Sequence, residues 1–206
     1  MNFQDFWNNS YKTYSTDGKV YSSWLDKYVD VIDRCKTKVL DLGCGIGYDS
    51  YYLTQRGLDV IACDFSEMAL SRIKENVENV ETMLLDFSEK LPFEDESFDL
   101  VIADLSLHYF DTKTTEKIMK EIKRIIAPKG FLLARVNSIY DVNHGAGEGE
   151  KIEDNFYFVK GYNKRFFTIE DAEKFFSIIG NATVCEEDMS RFNKPKKVIE
   201  IQVEKE

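Results

Sequence analysis

Several of the features that usually give a sequence away are scarce in this one. Across 206 residues there are only three prolines, at 92, 128 and 195, and no Pro/Ser-rich stretch, so nothing marks a linker between domains. The four cysteines, Cys35, Cys44, Cys63 and Cys185, have neither paired metal-ligand spacing nor the density of a disulfide scaffold, which predicts reduced thiols and no metal site. No run of about 18 apolar residues occurs, and residues 1–10 lack a basic segment followed by an apolar one, so the expected location is cytoplasmic. Basic residues are also in deficit. The 27 Lys and Arg against 37 Asp and Glu leave a formal charge of -10, which opposes attraction to phosphate backbones or anionic lipid. Nucleic acid and membrane are therefore not expected as partners.

What is present is the balance of a folded protein, 43% hydrophobic and 31% charged. A chain of this length buries roughly 70% of its unfolded surface around one core, and a single domain over residues 1–206 is expected. After residue 36 the hydrophobic periodicity alternates. It predicts strands at 38–42, 58–63, 81–85, 98–103 and 131–136, with helices at 48–56, after Ser66, and at 112–126, the last stopped by the segment from Pro128 to Gly130. A helix opening at Thr168 with a capping-box partner at Asp171 and two further strands, 182–186 and 197–203, close the chain. Alternation of this kind gives a mainly parallel sheet covered on both faces, and the short reverse connection between the last two strands makes the final one antiparallel.

Two segments stand outside the alternation. Residues 1–34 hold eight of the 28 aromatic residues, with Tyr21, Trp24, Leu25, Tyr28 and Ile32 marking an amphipathic helix. Residues 137–165, with His144 beside a run of glycines, are too long for an ordinary connection and read as a candidate substrate loop.

The first strand runs into Gly43-Cys44-Gly45-Ile46-Gly47, at the position where open parallel sheets hold cofactors. Glycines there allow a tight turn and close approach, or mark a turn with no ligand. The loop departs from the dinucleotide fingerprint because Tyr48 stands where a third glycine is required. Asp41 precedes it and Asp49 follows it, and unit charges at such range repel by about 4 kcal/mol at an effective dielectric of 20. A pyrophosphate is disfavoured. Asp64 ends the second strand, where an acid accepts from ribose hydroxyls, and Asp86 with Phe87 ends the third; Phe65 or Phe87 can pack on an adenine face.

Together these residues resemble the class I S-adenosylmethionine-dependent methyltransferases, of the small-molecule type and weakly of the tellurite-resistance-like branch. The resemblance runs from about Lys38 to Val136, including the stretch from Leu91 to Phe93 and that from Pro128 to Gly130. It implies an α/β, Rossmann-like doubly wound sheet of seven strands, mainly parallel with the last antiparallel, plus an N-terminal helical lid. It implies S-adenosylmethionine as cofactor, with Asp41, Gly43, Cys44, Gly45 and Gly47 along its methionine part. Asp64 would hold the ribose, Asp86 and Phe87 the adenine, and Asp104 and Leu105 would lie near the methyl group. Tyr11 is expected near the cofactor, with Tyr14, Tyr109 and His144 toward a small-molecule acceptor. If the acceptor needs a base, His108 after the fourth strand is the candidate. An NAD-dependent oxidoreductase and a non-catalytic cofactor-binding regulator remain open, and the protein would act as a monomer or homodimer.

Overall fold

The computed structural model describes residues 3–13, 23–36, 38–190 and 192–206. Helix α1 (Phe3–Lys12) is followed by a 3-10 turn (Ser23–Tyr28) that runs into the short α2 (Val29–Ile32). The alternating part comprises β1 (Val39–Leu42), α3 (Tyr48–Gln55), β2 (Val60–Asp64), α4 (Glu67–Asn76), β3 (Glu81–Leu84), β4 (Phe98–Asp104), α5 (Thr112–Ile125) and β5 (Ile126–Asn137). Then come three short strands, β6 (Glu150–Glu153), β7 (Phe156–Val159) and β8 (Tyr162–Arg165), before α6 (Ile169–Phe176), β9 (Asn181–Met189) and β10 (Lys196–Glu204). No helix among the described residues is long and apolar enough to cross a membrane.

The main sheet has the order β3-β2-β1-β4-β5-β10-β9. β10 pairs antiparallel with both neighbours, and the other strand pairs are parallel, which is the expected arrangement. Period-two alternation distributes its side chains to two cores. Leu40, Val101, Ala103, Leu132 and Ala134 face the stripe of α5 and α6, whereas Val39, Leu100, Ile102, Phe131 and Leu133 pack on Trp24, Leu25, Ile32 and Leu53. Strand order reverses between β1 and β4, so the crevice at their carboxyl ends is where such a sheet leaves room for a ligand.

Local signals account for the helix starts. Ser66 accepts from the Ala69 N–H as N-cap of α4, and Thr168 and Asp171 form the expected capping box on α6.

Three expectations need correction. Residues 137–165 are not an open loop, since β6, β7 and β8 form an antiparallel sheet of their own. It is held to the main body by the Arg165 N–H donating to the His108 carbonyl and by Glu153 accepting from both the backbone and the hydroxyl of Thr112. The strand expected at 131 begins at Ile126. There the backbone turns extended and pairs with Phe98, and the register then shifts to accommodate the segment around Pro128. The helix expected around Trp24 is mostly 3-10 in form, and Tyr21 falls outside the described residues, as does Tyr14.

Candidate active site

A cavity of about 750 Å³ opens at the carboxyl ends of β1, β2 and β4. One edge is the glycine loop. Gly43, Gly45 and Gly47 have φ of +82°, +54° and +89°. A Cβ on Gly43 would lie 2.3 Å from the Ser106 Cβ, and one on Gly45 would lie 3.0 Å from the Tyr11 hydroxyl. The Gly43 and Cys44 N–H groups both donate to the Cys63 carbonyl, which curls the loop against β2. Gly47 does not line the cavity. Its missing side chain instead lets the start of α3 rest on Ile73 of α4, 2.4 Å from where a Cβ would stand.

Carboxylates gather along this edge. Asp64 accepts from the Gly45 and Ser66 N–H groups at 2.9 Å each, and burial still pushes its carboxyl up to about 6 against the pull of those donors. Asp41 accepts from the Ser50 hydroxyl, and burial, followed by the charge of Asp49, holds it well above the ordinary carboxylate range. Asp49 accepts from the Trp24 indole at 2.9 Å. Asp104 lines the cavity, but both its oxygens take Arg135, at 2.8 and 2.9 Å, in a bidentate pair, and the guanidinium lies 4.4 Å from the Trp24 ring centroid. Asp86 is more exposed and folds back on the Ser88 N–H and hydroxyl, while the neighbouring Phe87 is buried against Phe110.

Opposite the acids stands an aromatic cover. Phe3, Trp7 and Tyr11 repeat at i, i+4 and i+8 on α1, so one face of the helix meets the cavity. Gln4 donates to the Phe65 carbonyl, and Asn8 accepts from the Ser66 hydroxyl and the Met68 N–H, pinning α1 to the start of α4. Trp7 stacks on Tyr11 at 5.7 Å and meets Tyr109 edge-on at 5.5 Å; Tyr162 of the small sheet completes the group 6.0 Å from Tyr109.

Comparison with known proteins accords with this geometry. Residues 39–130 match the family model described as a methyltransferase domain. Residues 39–130, from β1 into β5, thus carry the likeness to a methyltransferase domain. An uncharacterized methyltransferase of Synechocystis sp. is 39% identical over 94 residues, covering 46% of this chain and 44% of that protein. The tRNA N(3)-cytidine methyltransferase METTL2 of Gallus gallus is 29% identical over 157 residues, covering 69% of this chain and 42% of its own. The chain thus spans under half the length of either relative. A SAM-dependent methyltransferase from Methanosarcina mazei superposes with a TM-score of 0.67 at 20% identity, over 82% of this chain and 92% of that one, a likeness of fold.

S-adenosylmethionine, the cofactor expected from the resemblance, carries an ammonium, a sulfonium and ribose hydroxyls and no phosphate. The residues present suit it: a glycine loop at the cavity edge whose Gly45 leaves no room for a side chain beside Tyr11, raised carboxylates that a cation relieves, and no lysine or arginine among the described cavity-lining residues. Of the expected site residues, the structure brings Tyr11, Asp41, Gly43, Cys44, Gly45, Asp64, Phe65, Asp86, Phe87, Asp104, Leu105 and Tyr109 to the cavity. It does not bring the two histidines there. His108 is buried away from the cavity, its Nδ1 has no hydrogen-bond partner among the described residues, and burial and the charges of Lys164 and Lys196 hold its pKa well below the usual histidine range. His144 is hydrogen-bonded through Nδ1 to the Asp141 carboxylate, 2.7 Å away, and packs on Phe192. Sequence reasoning missed Arg135, whose signal was a charge inside an apolar strand, and Phe156, Phe158 and Tyr162, whose alternation lies in a segment taken for a loop.

Proposed function

We propose that this chain transfers a methyl group from S-adenosylmethionine to a small-molecule acceptor, with residues 1–206 acting as one unit. The observation that carries the reading is the Gly43–Gly47 loop tied to Asp64 through the Gly45 N–H, inside a cavity edged with carboxylates. The cofactor supplies an electrophilic methyl group and its own leaving group. The chain's residues bind, orient and exclude water. Asp64 accepts from the ribose hydroxyls, Asp86 and the Phe87 backbone face the adenine, and Phe65 packs beside it. Asp41, Gly43, Cys44, Gly45 and Leu105 lie along the methionine part, with Asp49 and the Arg135-held Asp104 countering its positive charge. The aromatic face of α1 closes the cavity from solvent, which favours a small acceptor over a polymer.

Calorimetric titration with S-adenosylhomocysteine and, in parallel, NADH tests the reading. S-adenosylhomocysteine is expected to bind and NADH not to. Asp64→Ala is expected to weaken binding by about 1–3 kcal/mol through loss of charge-assisted hydrogen bonds. Unchanged affinity in a folded Asp64→Ala protein overturns the assignment.

A further inference from the structure

The cavity is chemically two-sided, and its second side specifies an acceptor. Six carboxylate residues line it, Asp41, Asp49, Asp64, Asp86, Asp104 and Asp111, and none of the described lining residues is lysine, arginine or histidine. Away from the acid edge the wall is Tyr109, Phe110, Phe156, Phe158, Tyr162 and Asn163. Two buried cations stand behind this wall: Arg165, whose guanidinium lies 5.0 Å from the Phe156 ring, donates to the Phe110 carbonyl and pairs with Glu153, and the second is Lys164. Its ammonium stands 5.5 Å from the Tyr162 ring and donates to the His144 carbonyl, and Lys164 is not a lining residue.

Resting on the methyl-transfer reading, we propose that the acceptor is a small aromatic amine, uncharged as it reacts, seated against Tyr109, Phe156 and Tyr162, and that carboxylate- or phosphate-bearing molecules are excluded. Three arguments converge. Among the described lining residues an anionic acceptor finds no cation to pair with, and each carboxylate within about 4 Å costs it roughly 4 kcal/mol at an effective dielectric of 20. Flat aromatic walls reward a flat ligand, since aromatic pairs contribute about 0.5–1.5 kcal/mol beyond area burial. Finally, the bases among the described lining residues are carboxylates alone: both histidines are elsewhere, and burial pushes the Tyr109 and Tyr162 phenols up, so they stay protonated. A heteroaromatic or arylamine nitrogen attacks with a lone pair that is already free, whereas a phenol must first give its proton to one of these acids.

Charge balance fits this choice. The nitrogen lone pair forms the new N–C bond as the S–C bond breaks and its electron pair stays on sulfur, so the positive charge passes to nitrogen. An arylamine then gives its surplus proton to water. Aromatic faces and nearby carboxylates favour the nascent cation.

The test uses three probes of nearly one shape and different charge, titrated into the full chain saturated with S-adenosylhomocysteine: isoquinoline, N-methylisoquinolinium and isoquinoline-1-carboxylate. The first two are expected to bind, and the carboxylate at least about thirtyfold more weakly, equivalent to some 2 kcal/mol. Tyr162→Ala is expected to lower isoquinoline affinity about tenfold and Tyr162→Phe to preserve it. Equal binding of the carboxylate, no binding by any of the three, or tighter binding of bulk tRNA overturns the acceptor assignment while leaving the cofactor reading intact. Failure of S-adenosylhomocysteine itself to bind overturns the proposed function instead.

Discussion

Asp64 has two tasks that pull its proton in opposite directions. It anchors the glycine loop by accepting from Gly45 and Ser66, which favours the carboxylate, yet it is buried, which disfavours it, and burial wins by enough to bring its pKa to about 6. Between the ordinary value of 3.8 and about 6 the folded chain therefore holds a proton that the unfolded chain has lost, and the contribution of Asp64 to stability falls as pH rises through that window. Accepting ribose hydroxyls requires the ionised form. Affinity for S-adenosylhomocysteine should thus be flat above about pH 7 and weaken as pH falls through 6; calorimetry from pH 5 to 8 should show this slope reduced, at lower overall affinity, in Asp64→Asn. Gly43 offers a second test at this scale. Its left-handed φ costs a non-glycine residue about 1–2 kcal/mol and the encounter with Ser106 about 1–3 more, so Gly43→Ala should lose about 2–5 kcal/mol in urea unfolding. At Gly57, also left-handed but with nothing within 4 Å of an added Cβ, the same substitution should cost only the backbone part.

Among the elements, α1 has no buried residue, and its polar attachment to the body includes Gln4 on Phe65, Asn8 on Ser66 and Met68, and the Lys12 carbonyl accepting from Arg72. A helix so attached opens at small free-energy cost, which suits a cover over a cavity. Asn8→Ala should leave the unfolding midpoint close to wild type but weaken closure by about 1–2 kcal/mol, read by stopped flow as roughly tenfold faster release of S-adenosylhomocysteine. How legible an element was depended on where its stabilisation comes from. The stripe of Ile118, Ile122 and Ile125, the Ser66 cap and the Thr168 capping box are local, and each marked its helix in the sequence. The strands β6 to β8 are short and partly polar and are held by distant partners, with Glu153 on Thr112 and Arg165 on the His108 carbonyl, so the alternation at Phe156 and Phe158 is too brief to mark a sheet within residues 137–165. The candidate site divided in the same way. Asp41, Asp64 and Asp86 stand at strand ends that periodicity finds, whereas the Arg135 pair with Asp104 and the arrival of Tyr162 beside Tyr109 depend on how separate elements dock.

The whole molecule segregates its charges. Acids line the cavity, while a cationic cluster lies buried where the small sheet meets β5 and β10. There Lys196 donates to Asn137 and Asp141, Asp141 also holds His144, and among the described residues Lys164 has only a carbonyl as acceptor, facing His108, Lys160 and Lys196 with Asp141 as the opposing charge. Burial, then Lys196, lowers the Lys164 pKa from 10.5 to about 8. The sign follows from proton counting. Between about 8 and 10.5 the unfolded chain binds a proton that the folded chain does not, so the contribution of Lys164 to stability rises with pH through that window and is a constant penalty below it. Replacing it by methionine keeps the apolar stem against Tyr162 and Phe166 but removes the titration. Lys164→Met should therefore gain on wild type most at pH 7, and the gain should shrink by about 2 kcal/mol toward pH 10 in urea unfolding. A difference between the two proteins that does not change with pH would show that Lys164 stays charged in the folded chain, and that Asp141 compensates it more fully than the geometry indicates.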